Sequence, residues 1–186
     1  MTVIQNYLFQ DTGKTEQKIW DALSKVTDPE VPVLSILDLG IVRKVIIHTQ
    51  NTEENILSVE IVITPTYSGC PAMDAISMNI RMILLEHGYK NIIITSVLSP
   101  AWTTDWMSEA GKEKLKEYGI APPQLNLVGL NKNRIEKLLF EEEKNIECPL
   151  CNSINTRLIS QFGSTACKAL YQCNDCKEPF DYFKCH

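Results

Sequence analysis

Two Cys-x-x-Cys pairs, Cys148-Pro149-Leu150-Cys151 and Cys173-Asn174-Asp175-Cys176, stand 21 residues apart near the end of this 186-residue chain. No other feature restricts the fold as strongly. Each pair offers two ligands from one tight turn, and four thiolates at this spacing suit a tetrahedral zinc site. Thr156 to Phe162, Ala169 to Gln172 and Phe180 to Lys184 read as short strands, so a hairpin would carry the second turn back to the first. About 40 residues with so small a core need a metal or a cross-link to hold them. The expectation is a zinc ribbon over residues 147–186 with Cys148, Cys151, Cys173 and Cys176 as ligands. Four protein ligands leave no open coordination position, so the zinc would be structural. An iron–sulfur cluster or a redox dithiol are the rival readings, kept open by Cys167, Cys185 and His186 as spare soft ligands. Basic Arg157, Lys168, Lys177 and Lys184 balance acidic Glu147, Asp175, Glu178 and Asp181, so this unit is neutral and fits protein docking better than nucleic-acid binding.

Seven cysteines make the compartment matter. Met1 to Asp11 has neither a basic n-region nor a long apolar core, which argues against a signal peptide. No run of about 18 apolar residues exists to span a membrane. A cysteine-rich chain without an export signal is expected in the cytoplasm, where paired cysteines usually mean metal or redox chemistry. A net charge of −5 and a pI of about 5.3 argue against a dedicated nucleic-acid binder.

The first 130 residues read as an α+β domain, a small sandwich of helices on a sheet. Ile19, Trp20, Leu23 and Val26 fall at helical spacing, with Thr15 as the expected N-cap and Asp28-Pro29 as the stop. Val31 to Leu34 reads as extended chain, and Asp38-Leu39-Gly40 as a tight turn before a strand over Ile41–His48. Residues 50–55 read as a polar hairpin loop. The strand from Ile56 to Thr64 alternates, with Leu57, Val59, Ile61 and Ile63 on one face. Met73, Ile76, Ile80, Ile83, Leu84 and His87 make a helical stripe capped by Gly88, and Asn91–Leu98 reads as a third strand. Thr103, Thr104 and Asp105 are good N-caps for a helix over Met107–Tyr118, and Trp102 and Trp106 read as packing anchors. Ile120-Ala121-Pro122-Pro123 is a boundary signal, Leu125, Leu127 and Val128 could add an edge strand, and charged residues 131–146 read as a linker.

Between the second strand and the second helix lies Thr64-Pro65-Thr66-Tyr67-Ser68-Gly69-Cys70-Pro71. The strand ends at Pro65, the chain turns through Ser68-Gly69, and Pro71 opens a helix, where its missing N–H costs nothing. That places the Cys70 thiol at a helix N-terminus, a position that favours a thiolate. A buried, inert cysteine is the plain alternative.

Asp28-Pro29-Glu30, Asp38-Leu39-Gly40-Ile41-Val42, and Thr64-Pro65-Thr66 followed by Cys70-Pro71 resemble the metal–sulfur cluster biosynthesis family that includes SufT. Within it, Ser99 to Glu109 and Phe162 to Tyr171 resemble the branch encoded with the multicomponent phenylacetyl-CoA epoxidase of aerobic phenylacetate degradation. The resemblance implies an accessory protein that assists assembly of iron or iron–sulfur centres. Its partners would be the oxygenase and reductase subunits, with no nucleic acid and no membrane, and a homo-oligomer stays open. By position, Cys70 matches the family's cysteine, Asp38 its acidic residue and Thr66 the polar residue of its Pro-Thr motif, which implies a site for transient iron or a nascent cluster. A thiolate with one carboxylate is a weak, open site, as a carrier needs. The alternatives are a turn-forming aspartate at Asp38, with the same ambiguity at Asp28 and Glu30, and a turn cap at Thr66. No Glu-x-x-His pair and no Gly-rich dinucleotide fingerprint occurs, so the chain is not expected to perform the oxygenation itself. A non-catalytic structural or docking component of the epoxidase complex is the second reading. A thiol-redox enzyme is the third, disfavoured because no resolving cysteine sits beside Cys70.

Overall fold

The computed structural model describes residues 3–49, 57–124 and 146–184. Contacts divide the chain into two compact units, Met1–Ser108 and Glu109–His186. The first carries α1 (Val3–Leu23), β1 (Val42–Thr49), β2 (Leu57–Ile63), α2 (Ala72–Glu86) and β3 (Asn91–Ser96). The second carries α3 (Glu109–Glu117), β4 (Ile120–Ala121), β5 (Thr156–Ser160), β6 (Lys168–Cys173) and β7 (Pro179–Phe183).

In the first unit the strands lie in the order β1-β2-β3, and β2 is central. It pairs antiparallel with β1, Ile61 opposite Val45, and parallel with β3, Ile61 opposite Ile94. Parallel neighbours need a crossover, and α2 supplies it. The alternation along β2 works as expected: Val59, Ile61 and Ile63 are buried, whereas Ser58, Glu60 and Val62 on the other face are half-exposed. Onto the buried face α2 brings Ile76, Ile80 and Leu84, one helical stripe. Met73 and Ile83 flank that stripe half-buried, and His87 is an exposed C-cap. Gly88 follows at φ +88°, the left-handed conformation that glycine adopts without penalty.

Three local readings change. The first helix begins at Val3 rather than at a Thr15 cap, and it ends at Leu23 rather than running to Val26. Val3, Ile4, Tyr7 and Leu8 continue the helical spacing upstream, so Thr15 lies inside the helix. Val31–Leu34 is a turn and not extended chain. Asp28 Oδ1 accepts the N–H groups of Glu30 (2.7 Å) and Val31 (2.8 Å), and Leu34 N–H donates to Val31 O at 2.9 Å. The helix expected from Met107 starts at Glu109. Ahead of it a 3-10 turn, Thr104–Trp106, is capped by the Thr103 hydroxyl, which accepts Asp105 N–H.

In the second unit the strand order is β4-β7-β6-β5. The expected three-strand ribbon is present, β5 and β7 each antiparallel to β6. A fourth strand joins it: Ile120 and Ala121 pair parallel with Asp181 and Tyr182 of β7. Residues read as a boundary thus belong to the ribbon sheet, and the division by contacts falls at 108/109, ahead of the expected 130/131. The core is Ala121, Ile146, Cys148, Ala169, Tyr171, Cys173, Phe180 and Tyr182, with Tyr171 edge-on to Tyr182. The hairpin loop over 50–55, the edge strand at Leu125–Val128, linker residues 131–145, Cys185 and His186 lie outside the described residues. Among the described residues, no helix is long and apolar enough to cross a membrane.

Candidate functional site

The chain leaves β2 at Ile63 and passes buried Thr64 and Pro65 to the turn that ends at Cys70. Gly69 sits at φ +86°, and Cys70 N–H donates to Tyr67 O at 3.2 Å. Pro71 is the N-cap residue of α2 and brings no side-chain cap, so the first N–H groups of the helix are left for other acceptors. Ala72 N–H donates to the Cys70 sulfur, and the Thr66 hydroxyl makes a second hydrogen bond to it. Both contacts favour the thiolate. Desolvation outweighs them, and the carboxylates of Glu30 and Asp28 add to it, so the Cys70 thiol is pushed above its ordinary value of 9.0. The helix N-terminus acts on the thiol as the sequence implied, but the net result is a half-buried thiol that keeps its proton at neutral pH.

Asp38 is engaged differently. Its Oδ2 accepts Ser35 N–H (3.1 Å) and the Ser35 hydroxyl (2.8 Å), and its Oδ1 accepts the Ser108 hydroxyl (2.8 Å). Its backbone carbonyl accepts Ser108 N–H at 2.9 Å. Next to it, Trp102 Nε1–H donates to Leu39 O at 2.9 Å. Gly40 sits at φ +68°, where a Cβ would collide with the Trp106 backbone carbonyl. Arg43 lies over the Trp106 ring, 3.4 Å from its centroid. Asp38 thus ties the 35–40 turn to the 102–108 segment. Its partner Ser108, 70 residues away in sequence, carries no local signal. The Cys70 thiol feels the charge of the Glu30 and Asp28 carboxylates.

In the second unit Cys148, Cys151, Cys173 and Cys176 converge, with all four Sγ atoms within 4.8 Å of one another. Cys148 and Cys176 are 3.8 Å apart and Cys151 and Cys173 3.5 Å apart. Four sulfurs around a zinc at about 2.3 Å would be spaced by about 3.8 Å, so this donor set fits such an ion. The group is built as two matching knuckles and could hold a metal ion. The residue after each second cysteine, Asn152 and Lys177, has positive φ. This bend turns Ser153 N–H toward the Cys151 sulfur and Glu178 N–H toward that of Cys176. The Cys176 and Asp175 N–H groups pull the Cys173 thiol down to about 7. Glu178 N–H also lowers Cys176, but desolvation and the thiols of Cys173, Cys151 and Cys148 outweigh it and push that thiol up to about 12.

Side chains beyond the ligands hold the knuckles together, and the spacing of cysteines did not reveal them. Asp175 accepts the Ser153 hydroxyl (2.5 Å) and the Asn155 amide (2.8 Å), and Asn174 Nδ2 donates to Asn155 Oδ1 at 2.9 Å. The one signal for them was Asn, Ser and Asp placed just after one pair and inside the other. Cys167 is buried against the Thr165 hydroxyl, packed rather than part of the cluster.

A family profile described as iron-sulfur cluster assembly protein matches residues 16–87, which include Asp28, Glu30, Asp38, Thr66 and Cys70. Another, described as PaaD zinc beta ribbon domain, matches residues 133–184, which include all four clustered cysteines. A protein of Escherichia coli K12, provisionally named as one of the subunits of 1,2-phenylacetyl-CoA epoxidase, is 46% identical over 168 residues, 90% of this chain and 92% of that protein. An Fe-S protein maturation auxiliary factor of Porphyromonas gingivalis W83 is 34% identical over 107 residues, 57% of this chain and 92% of that one. Among solved structures, a Bacillus anthracis domain of unknown function is 27% identical, covers 54% of this chain and 90% of its own, and has a TM-score of 0.46.

Proposed function

The chain belongs to the family of that E. coli epoxidase component, and from this premise we propose that it is a cytoplasmic accessory protein of the phenylacetyl-CoA epoxidase system that assists assembly of iron or iron–sulfur centres in the oxygenase and reductase subunits. The observation that carries this reading is the pairing in one chain of two unlike sulfur sites. One has four thiols from its own backbone turns and no place left for a substrate, which suits a structural zinc. The other is a single half-buried thiol with open ligand positions, Cys70, supported by Thr66 and Ala72 N–H.

Electrostatics at Cys70 suits cargo that arrives and leaves. The carboxylates of Glu30 and Asp28 oppose a bare thiolate, yet the same negative charge attracts a cation to the sulfur. An incoming iron ion displaces the thiol proton, and Ala72 N–H and Thr66 steady the sulfur once the proton is gone. Reprotonation of a thiol with so high an affinity for its proton favours release. Asp38 serves this site through the backbone, by fixing the 35–40 turn.

Cys70→Ser is expected to abolish growth on phenylacetate while zinc content and the thermal transition stay at wild-type values. Anaerobic purification with metal analysis and visible absorption spectra would show a Cys70-dependent iron signal beside the zinc. A fully active Cys70→Ser strain would remove the thiol from the function. A second reading, a docking component without cargo, is favoured by exposed Leu158, Ile159 and Phe162 on and beside the edge strand β5. It predicts co-purification with the oxygenase at fixed stoichiometry whether or not Cys70 is present.

A further inference from the structure

The four clustered cysteines differ in access to solvent. Cys148 and Cys173 are buried, Cys176 is half-buried, and Cys151 is exposed. The exposed sulfur lies 3.5 Å from a buried one of the opposite knuckle, Cys173. Hydrogen bonds that need no metal cross between the same knuckles: Ser153 and Asn155 to Asp175, and Asn174 N–H to Asn155 O at 2.8 Å. An oxidant small enough to reach the site meets Cys151 first. Its natural resolving partner is already in contact, and the polar bridges hold the two turns in register after the metal goes.

We propose that Cys151 is a peroxide-sensitive modification site, and that its oxidation converts the metal site reversibly into a Cys151–Cys173 disulfide. The inference rests on the zinc reading above. Hydrogen peroxide is the oxidant. The Cys151 thiolate attacks one peroxide oxygen, the O–O bond breaks, and the products are a sulfenic acid at Cys151 and hydroxide. The Cys173 thiolate then attacks the Cys151 sulfur, the S–O bond breaks and a second hydroxide leaves. Two thiolates have lost two electrons in total and the peroxide has gained them. The zinc keeps only Cys148 and Cys176 and dissociates, because two ligands no longer close its shell. A dithiol reductant reverses the disulfide, and zinc rebinds to turns that have stayed in place.

The test uses the full chain, purified with its metal and analysed for zinc beforehand. Peroxide is added with a chromogenic zinc chelator, and disulfides are mapped by mass spectrometry as zinc appears. Zinc and a Cys151–Cys173 disulfide should form at one rate and in equal amounts, and dithiothreitol with added zinc should restore the starting metal content. A first disulfide within a knuckle, a sulfinic acid at Cys151 without a disulfide, or zinc retained under peroxide would each overturn the proposal. A chain purified without zinc would instead overturn the zinc reading, and the switch with it. Asp175→Ala removes the two bridges to Ser153 and Asn155 and leaves all four cysteines in place. It should release zinc as wild type does but recover a smaller fraction after reduction, and full recovery would exclude the bridge from holding the knuckles.

Discussion

Cys70 and Asp38 were both legible as residues of interest, and the structure separates what they do. The thiol position follows from Pro71 and Gly69 alone, because a glycine turn and a proline at a helix start are local facts. Its raised affinity for a proton does not, since it comes from burial and from Glu30 and Asp28, about 40 residues upstream. Alkylation of Cys70 should therefore reach half its maximal rate above pH 9, read by peptide-resolved mass spectrometry. Glu30→Gln removes one of the opposing charges, so the profile should move toward lower pH, and Thr66→Val should move it the other way. Asp38→Ala breaks three hydrogen bonds to a buried carboxylate and should cost about 2–3 kcal/mol in urea unfolding. If Asp38 acts through the turn, the Cys70 alkylation profile keeps its midpoint in that variant.

At the scale of elements, periodicity located β2 and α2 well, because each has one buried face and the pattern records it. Ile80 on α2 is fully buried, and Ile80→Ala should destabilise the chain by about 2–5 kcal/mol through lost burial and a cavity. Met78, two residues earlier, is 58% exposed, and Met78→Ala should change stability by less than about 0.5 kcal/mol in the same measurement. Where elements shifted, the reason is hydrogen bonding that the residue pattern leaves open. The Asp28 carboxylate folds Val31–Leu34 into a turn, and a 3-10 turn delays α3 to Glu109.

At the scale of the whole molecule the chain is two units held together by different physics. The first has a sheet with helices on it and the larger apolar core. The second packs Cys148 and Cys173 into one buried cluster with Ala121, Ile146, Ala169, Tyr171, Phe180 and Tyr182, so its cysteine group is part of its core. Removing the metal with a strong chelator should lower amide-exchange protection in β5, β6 and β7, the hydrogen bonds of Ser153 and Asn155 to Asp175 keeping the knuckles in register, while β1, β2, β3 and α2 keep theirs. Loss of protection in both units together would mean that the metal holds the first unit as well. β4 should follow the ribbon strands, because its ladder partner is β7.

By itself the sequence picked out the four cysteines that converge, the thiol at the head of α2, the family resemblance and the class of both folds. These depend on spacings of a few residues, and the chemistry of sulfur, proline and glycine leaves little freedom there. Tertiary structure alone decided that Ile120–Ala121 completes the ribbon sheet, that Asp38 bonds to Ser108, and that Glu30 and Asp28 charge the surroundings of Cys70. Each joins segments far apart in the chain, and the free energy that selects such a pairing comes from burial and desolvation that exist only once the segments meet.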